Sequence, residues 1–484
     1  MDAALAAAVT LAVVYPHMCG VGGDLFALVR RPDGEISAIV SAGTAPRAID
    51  VAAVRARHDG GMPTHGPDTI TVPGAVAGWE MLHSLGALLP WSRAFAPAID
   101  FAADGVAVAH SLAETLAEDD GRLASDPGLA SVFFPGGRGV TLGALVSQPA
   151  LAATMRELAA SGPAALYGGD VGVRYARGLQ AAGSPGSTLS VDDLIAHRAH
   201  VVEPLRGRYR DLEVLVAPPP SQGFVLLQIL ALVERFGLLP DPLGKDASRL
   251  ARIFAATAAV RDLHLADPEA MRLTPADLLS EAHLDDVAAA ALRESPPGQR
   301  GTGDTVSLVT TDAEGWAVSL IQSLYDGFGS GILEPSTGIV AHDRGACFTL
   351  EPDHPNELAP GKRPAHTLMP ALVQRRGTLA AAIGTMGGEA QPQINATNLM
   401  RVFDLGMSPA DALAAPRWLA EGRTISAEAD VPDAVTEALL EDGFDLQPDG
   451  GPYEFAGHSN FIRSADGAFH AAADPRADGS AAAG

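Results

Sequence analysis

The sequence changes character near residue 295. Before this point, alanine-rich amphipathic stretches separated by Pro and Gly clusters predict a mostly helical region, with helices over 91–103, 150–161, 248–265 and 274–293. The segment 295–304 has the sequence SPPGQRGTGD, which offers almost nothing apolar to bury and predicts an exposed loop. Residues 305–311 are then rich in β-branched side chains, 312–315 supply a turn, and 316–323 resume the strand pattern. The sequence therefore predicts an antiparallel hairpin that begins directly after a polar loop.

The predicted hairpin places Thr305 opposite a second polar side chain. If the turn is centred on Ala313 and Glu314, Thr305 lies opposite Gln322 or Ser323. Side chains that face each other across an antiparallel pair are about 5 Å apart. A threonine at the start of a strand, held by a neighbouring hydroxyl, is a candidate nucleophile. Threonine is also a common strand residue, and these residues alone leave both interpretations open.

Composition and charge exclude several classes of protein. The chain has 484 residues, 47% hydrophobic and 19% charged, which is too long for a small module and too apolar for a disordered chain. Its formal net charge of -25 repels phosphate backbones and anionic lipid surfaces, so neither nucleic acid nor a membrane is an expected partner. Cys19 and Cys347 form neither a disulfide framework nor a zinc motif. We expect no metal site.

The apolar segment 3–14 predicts a buried helix rather than a secretion signal. It follows Asp2 instead of a basic region, and Tyr15, Pro16 and His17 follow it instead of a small-residue cleavage site. The segment is also too short to span a membrane. These features predict a cytoplasmic protein.

Two further motifs contain candidate functional residues. Gly387 and Gly388 follow the apolar run 379–383, and their N–H groups can form either an oxyanion hole or a tight turn. His366 and Thr367 precede the apolar run 368–373, where polar residues commonly cap a strand. The glycine-rich turn 20–23 lacks the spacing of a dinucleotide-binding loop.

Taken together, these features resemble the gamma-glutamyltransferase superfamily of N-terminal-nucleophile hydrolases. The family's landmarks occur in order along almost the whole chain, at 2–14 with Pro16, His17 and 20–23, at 72–78, at 218–221, at Thr305 with its hairpin, and at 328–331, 360–364, 387–388 and 474–476. The resemblance implies an α+β fold, the four-layer αββα sandwich, and no cofactor. The motif that begins here at Asp2 follows a further strand and helix in the family, so we expect an edge strand, and any export signal, to precede Met1.

The same resemblance implies that the chain is a precursor that cuts itself. Thr305 matches the threonine that opens the small subunit, and Asp304 matches the residue whose carbonyl group that threonine attacks. The products would be a large subunit, 1–304, and a small subunit, 305–484, which form a heterodimer. A dimer of such heterodimers is left open.

The resemblance also assigns the catalytic groups. Ser323 matches a supporting threonine that orients the nucleophile, and Gly387 and Gly388 match the pair of oxyanion-hole residues. The freed α-amino group of Thr305, with an ordinary pKa of about 7.7 to 8.0, would serve as the base.

The substrate pocket departs from the transferase pattern. The family's arginine for the substrate α-carboxylate corresponds to Ala42, and its aspartate for the α-ammonium group corresponds to Cys347. An asparagine corresponds to Tyr325. Without the two charged partners, a γ-glutamyl substrate would leave its own charged groups unpaired, so glutathione is expected to be a poor substrate.

The remaining departures from the family's pocket residues indicate that the site binds a carboxylate presented from another direction. His366 and Thr367 replace a pair of serines, and Arg344 replaces a glutamine near Cys347. These three residues and Tyr325 are the candidate substrate-binding residues, with Arg344 offering a fork for a carboxylate. The pattern resembles the oxamate amidohydrolase branch, which predicts hydrolysis of a small amide next to a carboxylate. The alternatives are a gamma-glutamyltransferase or glutathione hydrolase and, from another class, a non-catalytic homologue.

Overall fold

Two antiparallel sheets form the centre of the molecule in the computed structural model, which describes residues 1–119, 121–238, 241–293, 303–448 and 456–483. The strands are β1 (Asp24–Arg30), β2 (Ile36–Ser41), β3 (Val106–Ala107), β4 (Leu145–Val146), β5 (His200–Val202), β6 (Leu205–Tyr209), β7 (Leu212–Val216), β8 (Asp304–Thr311), β9 (Ala317–Tyr325), β10 (Ile332–Glu334), β11 (Ile339–Ala341), β12 (Ala371–Arg375), β13 (Thr378–Met386), β14 (Trp418–Glu421), β15 (Thr424–Ala427), β16 (Asp445–Pro448), β17 (His458–Ala465) and β18 (Ala468–Ala473). The first sheet has the order β5-β2-β1-β9-β8, and the second has the order β18-β17-β13-β12-β7-β6.

Helices cover the outer faces of both sheets. They are α1 (Asp2–Val14), α2 (Val51–Arg57), α3 (Ala75–Ser84), α4 (Trp91–Asp104), α5 (His110–Ala117), α6 (Arg122–Ser125), α7 (Pro127–Phe133), α8 (Pro149–Ser161), α9 (Asp170–Ala181), α10 (Val191–Ala196), α11 (Gly223–Arg235), α12 (Ala247–His264), α13 (Pro275–Leu278), α14 (Glu281–Ala291), α15 (Gln391–Leu399), α16 (Pro409–Ala414) and α17 (Asp433–Glu441). Helices α1, α3, α4 and α8 share a core with the first sheet, and α11, α12 and α15 share one with the second. Within the described ranges, none of these helices combines the length and apolarity that a membrane span requires.

The inner faces of the two sheets pack on each other through apolar side chains. Leu28 and Ile36 of the first sheet share one cluster with Leu215 and Leu372 of the second. These residues alternate along their strands with residues that face the helices, as expected for sheets buried on both faces. The order helix, sheet, sheet, helix is the four-layer αββα sandwich, so the predicted α+β fold class is confirmed.

Most of the predicted helices are present, but the helix predicted over 274–293 is two helices. Thr274 caps α13 in a reciprocal capping box with Asp277. Ser280 then accepts a hydrogen bond from the N–H of His283 (3.3 Å) and starts α14 as a new helix. Two N-caps six residues apart satisfy backbone donors that a continuous helix would have paired internally, which explains the break.

The predicted hairpin is formed by β8 and β9. From Val306 to Thr311 the register continues the pairing predicted by the turn, with Val306 opposite Gln322. The pairing shifts between Asp304 and Val306, which leaves Thr305 in a bulge at the start of β8. The polar loop predicted over 295–304 lies outside the described residues as far as residue 302.

Candidate active site

Thr305 lies in the bulge at the start of edge strand β8, and its hydroxyl group contacts Ser323 on β9. The Oγ1 of Thr305 donates a hydrogen bond to the Oγ of Ser323 at 3.0 Å. The same Ser323 oxygen accepts a hydrogen bond from the N–H of Tyr325 at 2.7 Å. Both hydroxyl side chains are buried, with Thr305 only 4% exposed. A β-bulge turns a side chain away from its regular position, and here it brings the threonine hydroxyl onto its neighbour.

Gly387 and Gly388 follow strand β13 and lie close to Gly303, two residues before Thr305. Their φ angles are 146° and 51°, a region that favours glycine. A Cβ atom placed on Gly303 would lie 3.0 Å from the Cα of Gly388, so the chain before Asp304 passes directly over this turn. The backbone of Asp304 opens β8 beside it, paired with Tyr325.

Gln222 fixes the position of this glycine turn. Its Nε2 donates hydrogen bonds to the carbonyl oxygens of Gly388 and Thr367, each at 2.9 Å. Gln222 is fully buried. The sequence marks it only by its place after the three prolines 218–220, and the analysis of motifs assigned it no role. It ties the candidate oxyanion hole to the segment that carries His366 and Thr367.

Arg344 is fully buried and only partly paired. Its Nη1 donates to the hydroxyl of Thr367 at 3.1 Å and contacts the Sγ of Cys347 at 3.5 Å. The guanidinium carbon lies 4.2 Å from the centre of the Tyr325 ring, within range of a cation–π interaction. Among the described residues, its Nε and Nη2 have no hydrogen-bond partner. Two unpaired buried donors of a permanent cation make Arg344 a candidate for binding an anion.

Tyr325 ends β9 in a conformation that is rare for a residue with a side chain. Its φ is +86°, which for a bulky residue is a genuine outlier. Its hydroxyl lies 3.4 Å from the Oε1 of Glu389. Burial raises the pKa of the phenol, so it remains protonated and able to donate. Such backbone strain clusters at ligand sites, where the surrounding contacts enforce it.

His366 is held inside the protein by both ring nitrogens. Its Nε2 lies 3.1 Å from the Oδ2 of Asp24, and its Nδ1 accepts from the N–H of Leu368 at 3.3 Å. The ring packs on Phe26 with a centroid distance of 4.5 Å. Burial holds the pKa of His366 well below its usual range, and the nearby Arg344 adds to this effect. The side chain is a neutral ring that borders the cavity, with its polar atoms engaged on the far side.

Asp24 connects the first sheet to this site, a role that the sequence did not reveal. Its Oδ1 accepts hydrogen bonds from the N–H groups of Gly43 and Gly74, both at 3.1 Å, and its Oδ2 contacts His366. Asp24 also lies opposite Ser323 in the pairing of β1 with β9. Complete burial raises its pKa to about 7, although Arg344 opposes this increase. Asp24 therefore positions the residues behind the site.

A cavity of about 400 Å³ borders part of this site, and neither Thr305 nor Arg344 belongs to its lining. Its lining includes Gln222, Arg261, Tyr325, Cys347, His366, Thr367 and Glu389. Arg261 and Glu389 are further polar residues that the sequence analysis missed, because neither belongs to a recognised motif. Ala42 is absent from this lining and packs between the sheets with Phe26 and Leu368. A second, mostly apolar cavity of about 670 Å³ reaches Thr305 from the side of α1.

One group in the described ranges has the composition of a metal site. It consists of His65, Asp326 and Asp343. The two ring nitrogens of His65 face different carboxylates, Nε2 towards Asp326 and Nδ1 towards Asp343, each at 3.6 Å. Because the His65 ring contacts the two carboxylates through opposite nitrogens, it lies between them. The three side chains therefore do not point together at one ion position. We therefore interpret this group as a bridge between the loops that follow Tyr325 and precede Arg344.

Comparisons with known proteins match the whole chain. A family profile described as Gamma-glutamyltranspeptidase matches residues 1–484. The oxamate amidohydrolase proenzyme of Klebsiella pneumoniae subsp. pneumoniae is 36% identical, covering 100% of this chain and 93% of that protein. The glutathione hydrolase-like YwrD proenzyme of Bacillus subtilis is 34% identical, covering 99% of this chain and 93% of that protein. The crystal structure of cephalosporin acylase from Bacillus halodurans has a TM-score of 0.87 at 31% identity, over 99% of this chain and 90% of that one.

Proposed function

The chain belongs to the gamma-glutamyltranspeptidase family, and we propose that it is a self-processing amidohydrolase that cleaves a small, carboxylate-bearing amide such as oxamate through an acyl-threonine intermediate. Hydrolysis of an amide C–N bond is the chemistry common to the relatives named as amidohydrolases, acylases and glutathione hydrolases. The observation that carries the choice of substrate is Arg344, a buried cation with unpaired donors that lies directly behind Tyr325 and Thr367, two residues of the cavity lining.

Maturation is the first step of the proposal. The Oγ1 of Thr305 attacks the carbonyl carbon of Asp304, the C–N bond between the two residues breaks, and water hydrolyses the resulting ester. This releases a large subunit, 1–304, and a small subunit, 305–484, whose first group is the α-amine of Thr305. The hydrogen bond between Thr305 and Ser323 and the passage of Gly303 over Gly388 support this step. Two of the relatives are likewise named proenzymes.

Catalysis then uses the groups that maturation exposes. The free α-amine of Thr305, with a pKa close to neutral pH, takes the hydroxyl proton while Oγ1 attacks the substrate carbonyl. The N–H groups of Gly387 and Gly388 stabilise the oxyanion, where one such donor is typically worth about 2.7 to 4 kcal/mol. The proton passes to the leaving amine, and water then hydrolyses the acyl-threonine.

Recognition of the carboxylate is assigned to Arg344. Its unpaired Nε and Nη2 can donate two hydrogen bonds to a carboxylate, and Tyr325 and Thr367 hold the guanidinium in place. Ala42 lies between the sheets and offers no charged group to the cavity. Burial raises the pKa of the Cys347 thiol, which therefore supplies no anion for a substrate ammonium group. A γ-glutamyl donor would lose both contacts at these two positions.

Glutathione hydrolysis is the second candidate because a relative with 34% identity is named glutathione hydrolase-like. Steady-state kinetics of the processed protein with oxamate, glutathione and acylated amino acids distinguish the two. We expect kcat/KM for glutathione to be lower than for the best small amide by on the order of 10³, if two charged contacts of about 2 kcal/mol each are missing. A glutathione value equal to or above that of oxamate would favour the second candidate. Unprocessed Thr305→Ala protein is the matched control.

A further inference from the structure

The cavity also contains an unpaired carboxylate oxygen. The Oε2 of Glu389 is closed to solvent and has no hydrogen-bond partner within the described part of the chain. Its Oε1 is 3.4 Å from the Tyr325 hydroxyl. The nearest cation, Arg261, donates to the main-chain oxygen of Glu389 at 3.0 Å and pairs its side chain with Asp262 at 2.7 Å. None of these neighbours therefore donates a hydrogen bond to the Oε2 of Glu389.

An unpaired acceptor of this kind is costly in a folded protein. Leaving a buried polar atom unsatisfied costs about 1–3 kcal/mol, and more when the group is charged. Burial raises the pKa of Glu389, and the nearby Arg261 and Arg344 oppose that rise. A ligand that supplies the missing hydrogen-bond donor would account for the unpaired Oε2 of Glu389.

The position of Glu389 relates it directly to the proposed reaction centre. It follows Gly388 in the 3₁₀ turn Gly388–Ala390, and Gln222 holds the carbonyl oxygen of Gly388. Tyr325 stands between Glu389 and Arg344, because its hydroxyl contacts the former and its ring lies against the latter. Tyr325 and Glu389 line the cavity, and Arg344 lies behind the Tyr325 ring, so a carboxylate and a guanidinium group both contact one aromatic side chain.

We propose that Glu389 is a specificity-determining residue that binds an ammonium group on the acyl part of the substrate while Arg344 binds its carboxylate. The preferred substrates are then small amino-acid-like amides that present both charges to Glu389 and Arg344, and not to the positions of Cys347 and Ala42, where a γ-glutamyl donor would lose them. This inference rests on the proposed function, which assigns the carboxylate to Arg344. A cavity of about 400 Å³ has the size of a small-molecule site and accommodates more than a two-carbon acyl group.

Calorimetric binding of the two acids aspartate and succinate to the processed protein tests the assignment. These ligands are the hydrolysis products of asparagine and succinamate, and they differ by one amino group. We expect the wild type to bind aspartate at least tenfold more tightly than succinate. Glu389→Gln, which keeps an acceptor but loses the charge, should bring the two affinities to within about twofold of each other.

Two further variants complete the design. Glu389→Asp keeps the charge on a side chain one methylene shorter, and it should retain part of the preference for aspartate over succinate. It serves as the test variant if Glu389→Gln fails to fold. Glu437→Gln removes an exposed carboxylate on α17 and should keep the wild-type ratio. Equal affinities in the wild type, undetectable binding of both acids, or a preference that survives in Glu389→Gln would overturn the inference.

Hydrolysis assays separate this inference from the function on which it rests. If the wild type hydrolyses oxamate and succinamate but binds aspartate no better than succinate, the role of Glu389 is wrong and the amidohydrolase proposal stands. If the wild type prefers aspartate through Glu389 but hydrolyses none of these amides, the binding site stands and the proposed reaction is wrong.

Discussion

The hydroxyl oxygens of Thr305 and Ser323 lie 3.0 Å apart, on neighbouring strands of one hairpin. The bulge at Thr305 produces this contact, since the regular register resumes only at Val306. In the proposed reaction, this contact would orient the Oγ1 of Thr305 before cleavage. The same orientation would then serve both maturation and the later attack on substrate.

Thr305→Ala should remain a single chain of full length. Removing Oγ1 removes the only atom in the proposal that attacks the carbonyl group of Asp304. Denaturing electrophoresis and intact mass measurement of fresh and aged protein detect residues 1–304 and 305–484 as separate chains. Thr305→Ser keeps a hydroxyl at the same position and should still be cleaved. If Thr305→Ala splits at this bond, the nucleophile has been misassigned.

Ser323→Ala should slow maturation and reduce kcat. The substitution removes the acceptor of the Thr305 hydroxyl and of the Tyr325 N–H, and a lost partner of this kind costs about 1–3 kcal/mol. This corresponds to a decrease of roughly 5- to 150-fold in rate. Ser323→Thr retains the oxygen and is the control. Equal processing half-times for Ser323→Ala and the wild type would show that the contact has no role in orientation.

The hairpin and the glycine pair could be predicted because local sequence determines them. A turn at 312–315 between β-branched runs sets the strand register, and the positive φ angles at positions 387 and 388 favour glycine. The break between α13 and α14 could not be predicted from periodicity, which continues through Ser280 while the N-cap interrupts the helix.

The electrostatic partners of the site could not be predicted for a different reason. Asp24, Gln222 and Glu389 come from three distant segments that meet only when the sheets pack together. Each is a common residue type without a local signature, and its role depends on which neighbours leave its atoms unpaired. The partner of the His366 Nε2, Asp24, likewise comes from a distant segment, and contact of His366 with substrate stays a prediction.

Acid should destabilise the protein because several histidines are buried in the neutral form. Burial lowers the pKa of His17 and His342 to about 3, and the pKa of His197 and His458 to about 4. Between these values and the ordinary pKa of about 6.5, the unfolded state binds more protons than the folded state. The free energy of unfolding therefore falls as the pH is lowered through this window, by about 1.4 kcal/mol per pH unit for each net proton.

Two buried carboxyl groups act in the opposite direction. Burial raises the pKa of Asp24 to about 7 and that of Asp343 to about 6, so the folded state binds their protons more readily and acid favours it. Because four histidines are set against two aspartates, the net effect is that the free energy of unfolding falls as the pH is lowered. Denaturant titrations from pH 4.5 to 6 should show a slope smaller by about 1.4 kcal/mol per pH unit in His458→Gln. The exposed His470→Gln is the control, and an unchanged slope in His458→Gln would contradict the assignment.

Arg344→Lys should raise KM by tenfold or more while kcat stays nearly constant. A guanidinium that contacts the carboxylate equally in the ground and transition states contributes uniform binding, and a lysine loses the bidentate contact. Because the α-amine of Thr305 is the proposed base, the pH profile of kcat/KM should keep its shape in the variant and decrease in height. Steady-state kinetics of processed protein measure both effects, with the exposed Arg93→Lys on α4 as a control. A KM equal to that of the wild type in folded, processed Arg344→Lys would remove Arg344 from substrate binding, since a buried guanidinium with unpaired Nε and Nη2 would then serve only the packing against Tyr325.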